Sequence, residues 1–282
     1  MPELPEVETI ARNLRPALIG CQIMSVDIRW TRTVAAPSVR RFKRQIQGQI
    51  IQDVGRRAKF LHIRLSASHL LIHLRMSGDL QVRQGKDRAQ KHDRLVFVLS
   101  SPLLHGSPAG PDAGSGAVTS LVFSDTRKFG RVWLTEKVET VTSRLGPEPL
   151  SRGFTPQVLY QRLRARHRRL KPLLLDQTFL AGLGNIYTDE ALHRARLHPL
   201  KSSQTVTRRQ AERLHEAIRL VLKEGIRRNG ASIDWVYRGG EFQNHFRVYD
   251  RDGEPCPVCG TAIMRLVVGQ RGTHICPHCQ RM

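Results

Sequence analysis

Acidic residues are scarce in this chain. Its 282 residues include 24 Asp and Glu against 46 Lys and Arg, giving a formal net charge of +22. A globular chain so short of negative charge is expected to meet a polyanion; a solvated basic surface with no partner is the bland alternative. No apolar run approaches the ~18–20 residues of a membrane span. The N-terminus has no basic region followed by an apolar core, so no secretory signal is expected. These absences point to the cytoplasm, where nucleic acid is the available polyanion. Cysteine is also sparse, at five residues, and nothing suggests an oxidising compartment, so a disulfide framework is not expected. Hydrophobic content of 40% is ample for packed cores, and the length suits two domains.

The most informative stretch is Met1–Thr9 (MPELPEVET). Methionine is normally removed before a small second residue, which would leave Pro2 with a free secondary amine. An α-amino group titrates near ~7.7–8.0, well below a lysine at ~10.4. A useful neutral fraction could therefore attack an electrophilic carbon and form an iminium. Glu3 and Glu6 are close enough in sequence to move protons for it. A purely structural reading competes with this one: Pro5 suits the first turn of a helix, with Glu6 and Glu8 favouring its N-terminus.

Val7, Ile10, Ala11 and Leu14 fall on one helical face, and Pro16 and Gly20 predict that the helix stops there. From Gln22 to Glu136 the pattern becomes short β-rich runs: 22–30, 46–54, 59–65, 70–74, 95–99, 120–123 and 131–134. They predict an antiparallel sandwich or barrel against which the first helix packs. Ser100–Gly116 is rich in Gly, Ser and Pro and reads as a flexible surface insertion. Three pieces of this region are candidates for chemistry. Lys59 starts an apolar strand, from which an ammonium can reach a phosphate. The 73–78 run ends a strand in a Ser-Gly turn with Met76 near the tip. In 125–130, Arg127 and Phe129 alternate beside a turn glycine. Each is individually an ordinary strand end; together, a Met, an Arg and a Phe at loop tips are the types that wedge into a duplex and replace an extruded base.

From about Pro149 the period becomes helical, with helices expected at Pro156–Arg166, Thr188–Arg194 and Thr207–Arg228. The run Arg162, Arg164, Arg166, Arg168, Arg169 and Lys171 reads as a solvated face or a phosphate track. Leu180–Tyr187 places glycines before a helix N-terminus, where backbone N–H groups can approach an anion, with the Asn185 amide beside them. Alternatively it is a tight helix–helix turn. Ile233–Phe246 reads as a mobile loop.

The sharpest local signal is at the end. Cys256 and Cys259, then Cys276 and Cys279, form two Cys-x2-Cys knuckles separated by 16 residues, 260–275. That spacing is a tetrahedral zinc site. Four thiolates leave no open position for water, so one structural Zn2+ is expected. A β-hairpin should hang between the knuckles with Arg271 at its tip. Cys21 is left over and reads as a buried apolar residue.

In combination, Met1–Thr9, Arg57–Lys59, His73–Gly78, Asp125–Gly130, Gly182–Tyr187 and the terminal four-cysteine finger resemble the formamidopyrimidine-DNA glycosylase family, bacterial enzymes that remove oxidised purines. The resemblance runs through essentially the whole chain, in order. It implies an α+β fold: an N-terminal helix with an antiparallel β-sandwich, a helix–two-turn–helix domain and a C-terminal β-hairpin zinc finger. The corresponding segments are 1–136, a linker at 137–148, 149–246 and 247–282. It also implies double-stranded DNA carrying an oxidised base as partner, bound by a monomer between two lobes, and a cytoplasmic, nucleoid-associated place of action. By the resemblance, Pro2 is the nucleophile, Glu3 the acid/base, and Glu6 a second carboxylate. Lys59, His73, Asn185 and Arg271 hold phosphates around the extruded nucleotide, His92 adds a DNA contact, and Met76, Arg127 and Phe129 fill the vacated space. Arg75 departs from the motif, which often has glycine there, and Ile233–Phe246 is short for a segment that folds over oxidised guanine. Two other readings are an endonuclease VIII-like enzyme for oxidised pyrimidines and a non-catalytic zinc protein that binds DNA. The Glu3–Thr9 run and Arg127–Phe129 favour the purine enzyme over the first. The Pro2/Glu3 pairing has no explanation in the second.

Overall fold

The computed structural model describes residues 1–85, 90–100, 119–232 and 239–282. The expected insertion at 100–116 lies outside the described residues except for Ser100, as does Arg238 of the expected loop. The chain divides into two compact units. Among the described residues, one comprises Met1–Pro2 and Val7–Ser143, and the other comprises Glu3–Glu6, 144–232 and Gly239–Met282.

In the first unit, helix α1 (Leu4–Leu18) buries Val7, Ile10, Ala11, Leu14 and Leu18 on one face. It ends at Leu18, between Pro16 and Gly20, where the sequence predicts the stop. Leu18 is fully buried, and that burial offsets the one intrahelical bond the proline cannot make. Among the described residues nine strands follow: β1 (Ile23–Ile28), β2 (Val34–Ala36), β3 (Ile51–Arg57), β4 (Phe60–Leu65), β5 (His69–His73), β6 (Gly78–Gln84), β7 (Asp93–Leu99), β8 (Thr119–Asp125) and β9 (Arg131–Thr135). They form two sheets, ordered β1-β7-β8-β6 and β2-β9-β5-β4-β3. All pairings are antiparallel except β2 with β9. Inward residues of both sheets, among them Ile23, Phe97, Phe123, Ile63, Ile72 and Val132, share one core with α1.

The run 46–54, expected as one strand, is divided. Ile46 closes a short helix, α2 (Val39–Ile46), and β3 begins only at Ile51. A helix α3 (Glu139–Thr142) follows β9.

The second unit holds α4 (Pro156–Arg164), α5 (Leu170–Leu175), α6 (Asn185–Arg194) and α7 (Arg208–Arg227) around a leucine-rich core. Helix α7 opens with a capping box: Gln210 N–H donates to Thr207 Oγ1, and Thr207 N–H to Gln210 Oε1. Phe242–His245 forms a 3-10 turn, and Phe242 is buried and stacked on Tyr187 at 5.2 Å. The described half of 233–246 is therefore anchored by an aromatic contact that its composition did not signal.

The finger hairpin is β10 (Met264–Val268) with β11 (Arg271–Ile275). Gly269 and Gln270 both have positive φ, 58° and 61°, and alone make the turn. Arg271 is thus the first residue of β11.

Candidate active site and metal centre

Glu3 and Glu6 begin as neighbours in sequence and end as the focus of the second unit. Glu3 is buried at the N-terminus of α6, where Gly184 N–H donates to Oε2 at 2.5 Å and Ile186 N–H to Oε1 at 3.0 Å. The helix end supplies both unsatisfied donors and a positive dipole end, which together stabilise negative charge. Only glycine fits at 184, because a Cβ there would lie 2.3 Å from the Glu3 carboxyl carbon.

Glu6 is also buried. It accepts from the Tyr187 hydroxyl at 2.7 Å and Ala231 N–H at 2.8 Å through Oε1, and from Glu3 N–H at 2.7 Å through Oε2. Both carboxylates therefore have fixed orientations. In the other unit, Pro2 is buried and Met1 is 44% exposed.

A second buried network joins α5 and α6 to the finger hairpin. Lys171 is 0% exposed. Its ammonium contacts Asp189 Oδ1 at 2.6 Å, Thr273 Oγ1 at 2.8 Å and Gly272 O at 2.9 Å, which uses all three donors. Burial pulls its pKa down against the opposing pull of Asp189. His274 N–H donates to the other Asp189 oxygen at 2.9 Å, and the Asn185 amide donates to Gly272 O at 3.0 Å. The next acid, Glu190, accepts backbone N–H groups from Arg247, Val248 and Tyr249 at 2.9–3.0 Å, although burial still raises its pKa. Arg271, the first residue of β11, is exposed.

Reading Lys171 as part of a surface basic run was wrong. Its partners are distant in sequence, and no local signal marks it, Asp189 or Glu190. The flanking recess, about 620 Å3, is lined by Ser232, Gln243, Phe246 and Tyr249 among others.

In the first unit, Lys59 is buried at the β3–β4 turn. His73 ends β5. Desolvation, then the Arg75 and Lys59 cations, push its pKa down to about 3. At neutral pH it is an uncharged imidazole whose Nδ1 accepts from Arg75 N–H at 3.0 Å. Met76 and Phe129 are 41% and 51% exposed. One buried carboxylate, Asp125, ties their turns together. It accepts from Ser77 Oγ at 2.5 Å, Arg127 N–H at 3.1 Å and Gly130 N–H at 2.7 Å. The Arg127 guanidinium reaches Met76 Sδ at 3.5 Å. His92 joins the same cluster through its backbone, with Asp125 N–H donating to its carbonyl at 2.9 Å. The structure thus brings Met76, His92, Arg127 and Phe129 together at one end of the sandwich.

The four finger thiols lie within 4.8 Å of one another, with Sγ–Sγ contacts of 3.4, 3.5 and 4.0 Å. A tetrahedral Zn2+ with ~2.3 Å bonds needs sulfur separations near ~3.8 Å. Cys256, Cys259, Cys276 and Cys279 therefore fit one structural zinc ion, and four thiolates leave no open coordination position. His193 Nε2 reaches Cys256 Sγ at 3.4 Å, a contact suited to orienting that ligand. Cys21 is buried elsewhere, in the sandwich core, as its sequence context suggested.

A helix-backed β-sandwich, a helical unit with a glycine turn feeding α6, and a four-thiol finger define a zinc-bearing helix–two-turn–helix protein. Family models for the formamidopyrimidine-DNA glycosylase N-terminal domain, its H2TH domain, and the zinc finger found in FPG and IleRS match residues 1–132, 145–236 and 253–281. The chain belongs to the formamidopyrimidine-DNA glycosylase family. It is 43% identical to the formamidopyrimidine-DNA glycosylase of Pelotomaculum thermopropionicum over 291 residues, with 100% of both chains covered. It is 45% identical to that of Chloroflexus aggregans over 288 residues, covering 99% of this chain and 98% of the relative. Among solved structures it is similar to Lactococcus lactis Fpg in complex with abasic-site DNA (TM-score 0.89, 32% identity, both chains covered 100%). It is likewise similar to MutM in complex with DNA containing carbocyclic 8-oxo-G (TM-score 0.87, 34% identity, both chains covered 100%).

Proposed function

We propose that this chain is a bifunctional DNA glycosylase and abasic-site lyase of base excision repair, acting on oxidised purines in duplex DNA. The observation that carries the catalytic reading is the Glu3 carboxylate, buried and clamped by Gly184 and Ile186 N–H groups one residue after Pro2. A carboxylate held that firmly suits proton transfer at a fixed atom.

With Met1 removed, the Pro2 amine attacks the anomeric carbon of the damaged nucleotide and the base leaves. Glu3 delivers the proton that opens the sugar, and Glu6 fixes the backbone of Glu3. The resulting iminium acidifies neighbouring protons, so β- and then δ-elimination cut the strand on both sides of the lesion. The damaged nucleotide must first leave the stack, at a cost of a few kcal/mol. Met76, Arg127 and Phe129 fill the space it leaves, with Arg127 facing the orphaned base. Lys59, Asn185 and Arg271 hold flanking phosphates as donors, and His73 does so as a neutral imidazole. His92 adds a contact beside the wedge. The recess beside Ser232 and Tyr249 receives the base. The catalytic β-sandwich is assigned to 1–136, a linker to 137–148, the helix–two-turn–helix domain to 149–246 and the finger to 247–282. The protein acts as a monomer in the bacterial cytoplasm.

Borohydride trapping on a duplex with 8-oxoguanine opposite cytosine, followed by peptide mapping, tests this reading. The expected product is one adduct, on Pro2. An adduct formed only with thymine glycol would shift the substrate class to oxidised pyrimidines. No adduct on either lesion would sink the covalent mechanism.

A further inference from the structure

The end of the sandwich that carries Met76, His92, Arg127 and Phe129 also holds a cation that the proposed reaction does not use. Arg94, the second residue of β7, is 8% exposed and has no ion pair among the described residues. A buried charge without a counter-ion is costly unless its hydrogen bonds are filled. Those of Arg94 go to the two turns beside it. Nε donates to Asp125 O at 2.7 Å, the residue that anchors the Arg127–Phe129 turn. Nη1 donates to Lys91 O at 3.3 Å, and Nη2 lies 3.4 Å from His92 Nδ1. The other neighbour of His92 is pinned as well. Asp93 accepts from Gln90 N–H at 2.8 Å, Ser124 Oγ at 2.6 Å and the Arg83 guanidinium at 2.8 Å. The backbone of His92 is therefore fixed while its side chain stays exposed.

The contact between Arg94 and His92 has one chemical reading. A guanidinium donates and never accepts. His92 Nδ1 must then carry the lone pair, which leaves the ring uncharged with its proton on Nε2. His73 is in the same condition, because its Nδ1 accepts from Arg75 N–H. The two histidines assigned to DNA thus share one tautomer, set by a backbone N–H in one case and by a buried side chain in the other.

We propose that Arg94 is a positioning residue for DNA binding, fixing His92 as a neutral imidazole whose Nε2–H donates to a phosphate oxygen. The proposal rests on the reading of the chain as a DNA enzyme and of His92 as one of its DNA contacts. A neutral donor and an imidazolium behave differently toward salt. An imidazolium neutralises a phosphate and releases counterions, adding about 0.9 to the salt slope of binding, whereas a neutral donor adds affinity and almost no slope. Phosphate contacts set the register of a duplex on its protein, so a donor held in one orientation fixes where the backbone lies beside the wedge residues.

The test uses the full-length, zinc-loaded protein as wild type, R94M, R94K, H92F and R94M/H92F. Nitrogen NMR of isotope-labelled histidine at neutral pH should show wild-type His92 with a bare Nδ1 and a protonated Nε2. In R94M the two signals should move toward averaged values, and R94K, which keeps a donor, should restore them in part. Affinity for a duplex with an uncleavable abasic-site analogue is then measured across a salt series. R94M and H92F should each bind about threefold to tenfold more weakly, the scale of one hydrogen bond. The double variant should lose much less than the product of the two single losses, and H92F should keep the wild-type salt slope. Fully multiplicative losses, a slope reduced by about 0.9 in H92F, or an unchanged ring spectrum in R94M would each overturn the proposal. R94K carries the same comparison should R94M fail to fold. A wild-type protein that shows this coupling on duplex DNA but gives no trapped adduct would defeat the catalytic reading and leave the role of Arg94 standing.

Discussion

The wedge residues of the sandwich and the carboxylates of the helical unit are held in opposite ways. In the sandwich, Met76 and Phe129 stand exposed, and a single buried carboxylate, Asp125, fixes the turns beneath them. In the helical unit the acids Glu3, Glu6, Asp189 and Glu190 are themselves interior, each held by backbone N–H groups or a buried partner. The contrast follows from the tasks proposed for them. A side chain that enters a duplex needs a rigid base and a free end. A carboxylate that handles a proton needs fixed donors and exclusion of bulk water, because it acts only at a defined geometry. Substitutions should therefore separate stability from activity differently in the two units.

The largest effect is expected from Gly184→Ala. Its Cβ would lie 2.3 Å from the Glu3 carboxyl carbon, so Glu3 must move. Base release should fall by roughly 100-fold or more, the scale of a displaced general acid–base group. A variant with near-normal single-turnover rates would break the assignment of Glu3. Next comes Lys171→Met, which leaves Asp189 buried without its cation and should cost about 3–5 kcal/mol in denaturant unfolding. Adding Asp189→Asn should recover part of that loss, whereas no recovery would show that the charge pair is not the cause. The smallest stability effect is expected at Phe129→Ala. It should change stability by less than about 0.5 kcal/mol, as an exposed site does, yet slow excision about tenfold, the rate equivalent of ~1.4 kcal/mol. Excision on a duplex with the lesion in a pre-opened mismatch should be affected less. A stability loss matching the rate loss would erase the distinction between the units.

Several elements were legible because their determinants are local. The zinc ligands are two Cys-x2-Cys pairs with a turn between them, and they fold as the spacing requires. Helix α7 shows its apolar face and its capping residues in sequence. Others were hidden. Helix α2 has only Phe42 and Ile46 buried among basic residues, too few to reveal a period. Strand β6 lies at a sheet edge, where Leu80 is its only buried apolar residue and no clear alternation forms. Lys171 was misread because its neighbours in sequence, Arg168 and Arg169, are exposed while it points inward to Asp189.

The sequence by itself determined the residue types of the chemistry, the finger and its metal, the helical and β-rich halves, and a positive charge that calls for a polyanion. Each of these depends on residues close in the chain or on simple composition. Only the tertiary structure decided which donors hold Glu3 and Glu6, that Asp125 anchors both wedge turns, and that a buried lysine ties α5 and α6 to the hairpin. Those pairings include contacts between residues 48, 181 and 225 positions apart. Hydrogen bonds and ion pairs depend on distance in space, and a pattern read along the chain has no measure of it until the backbone has folded.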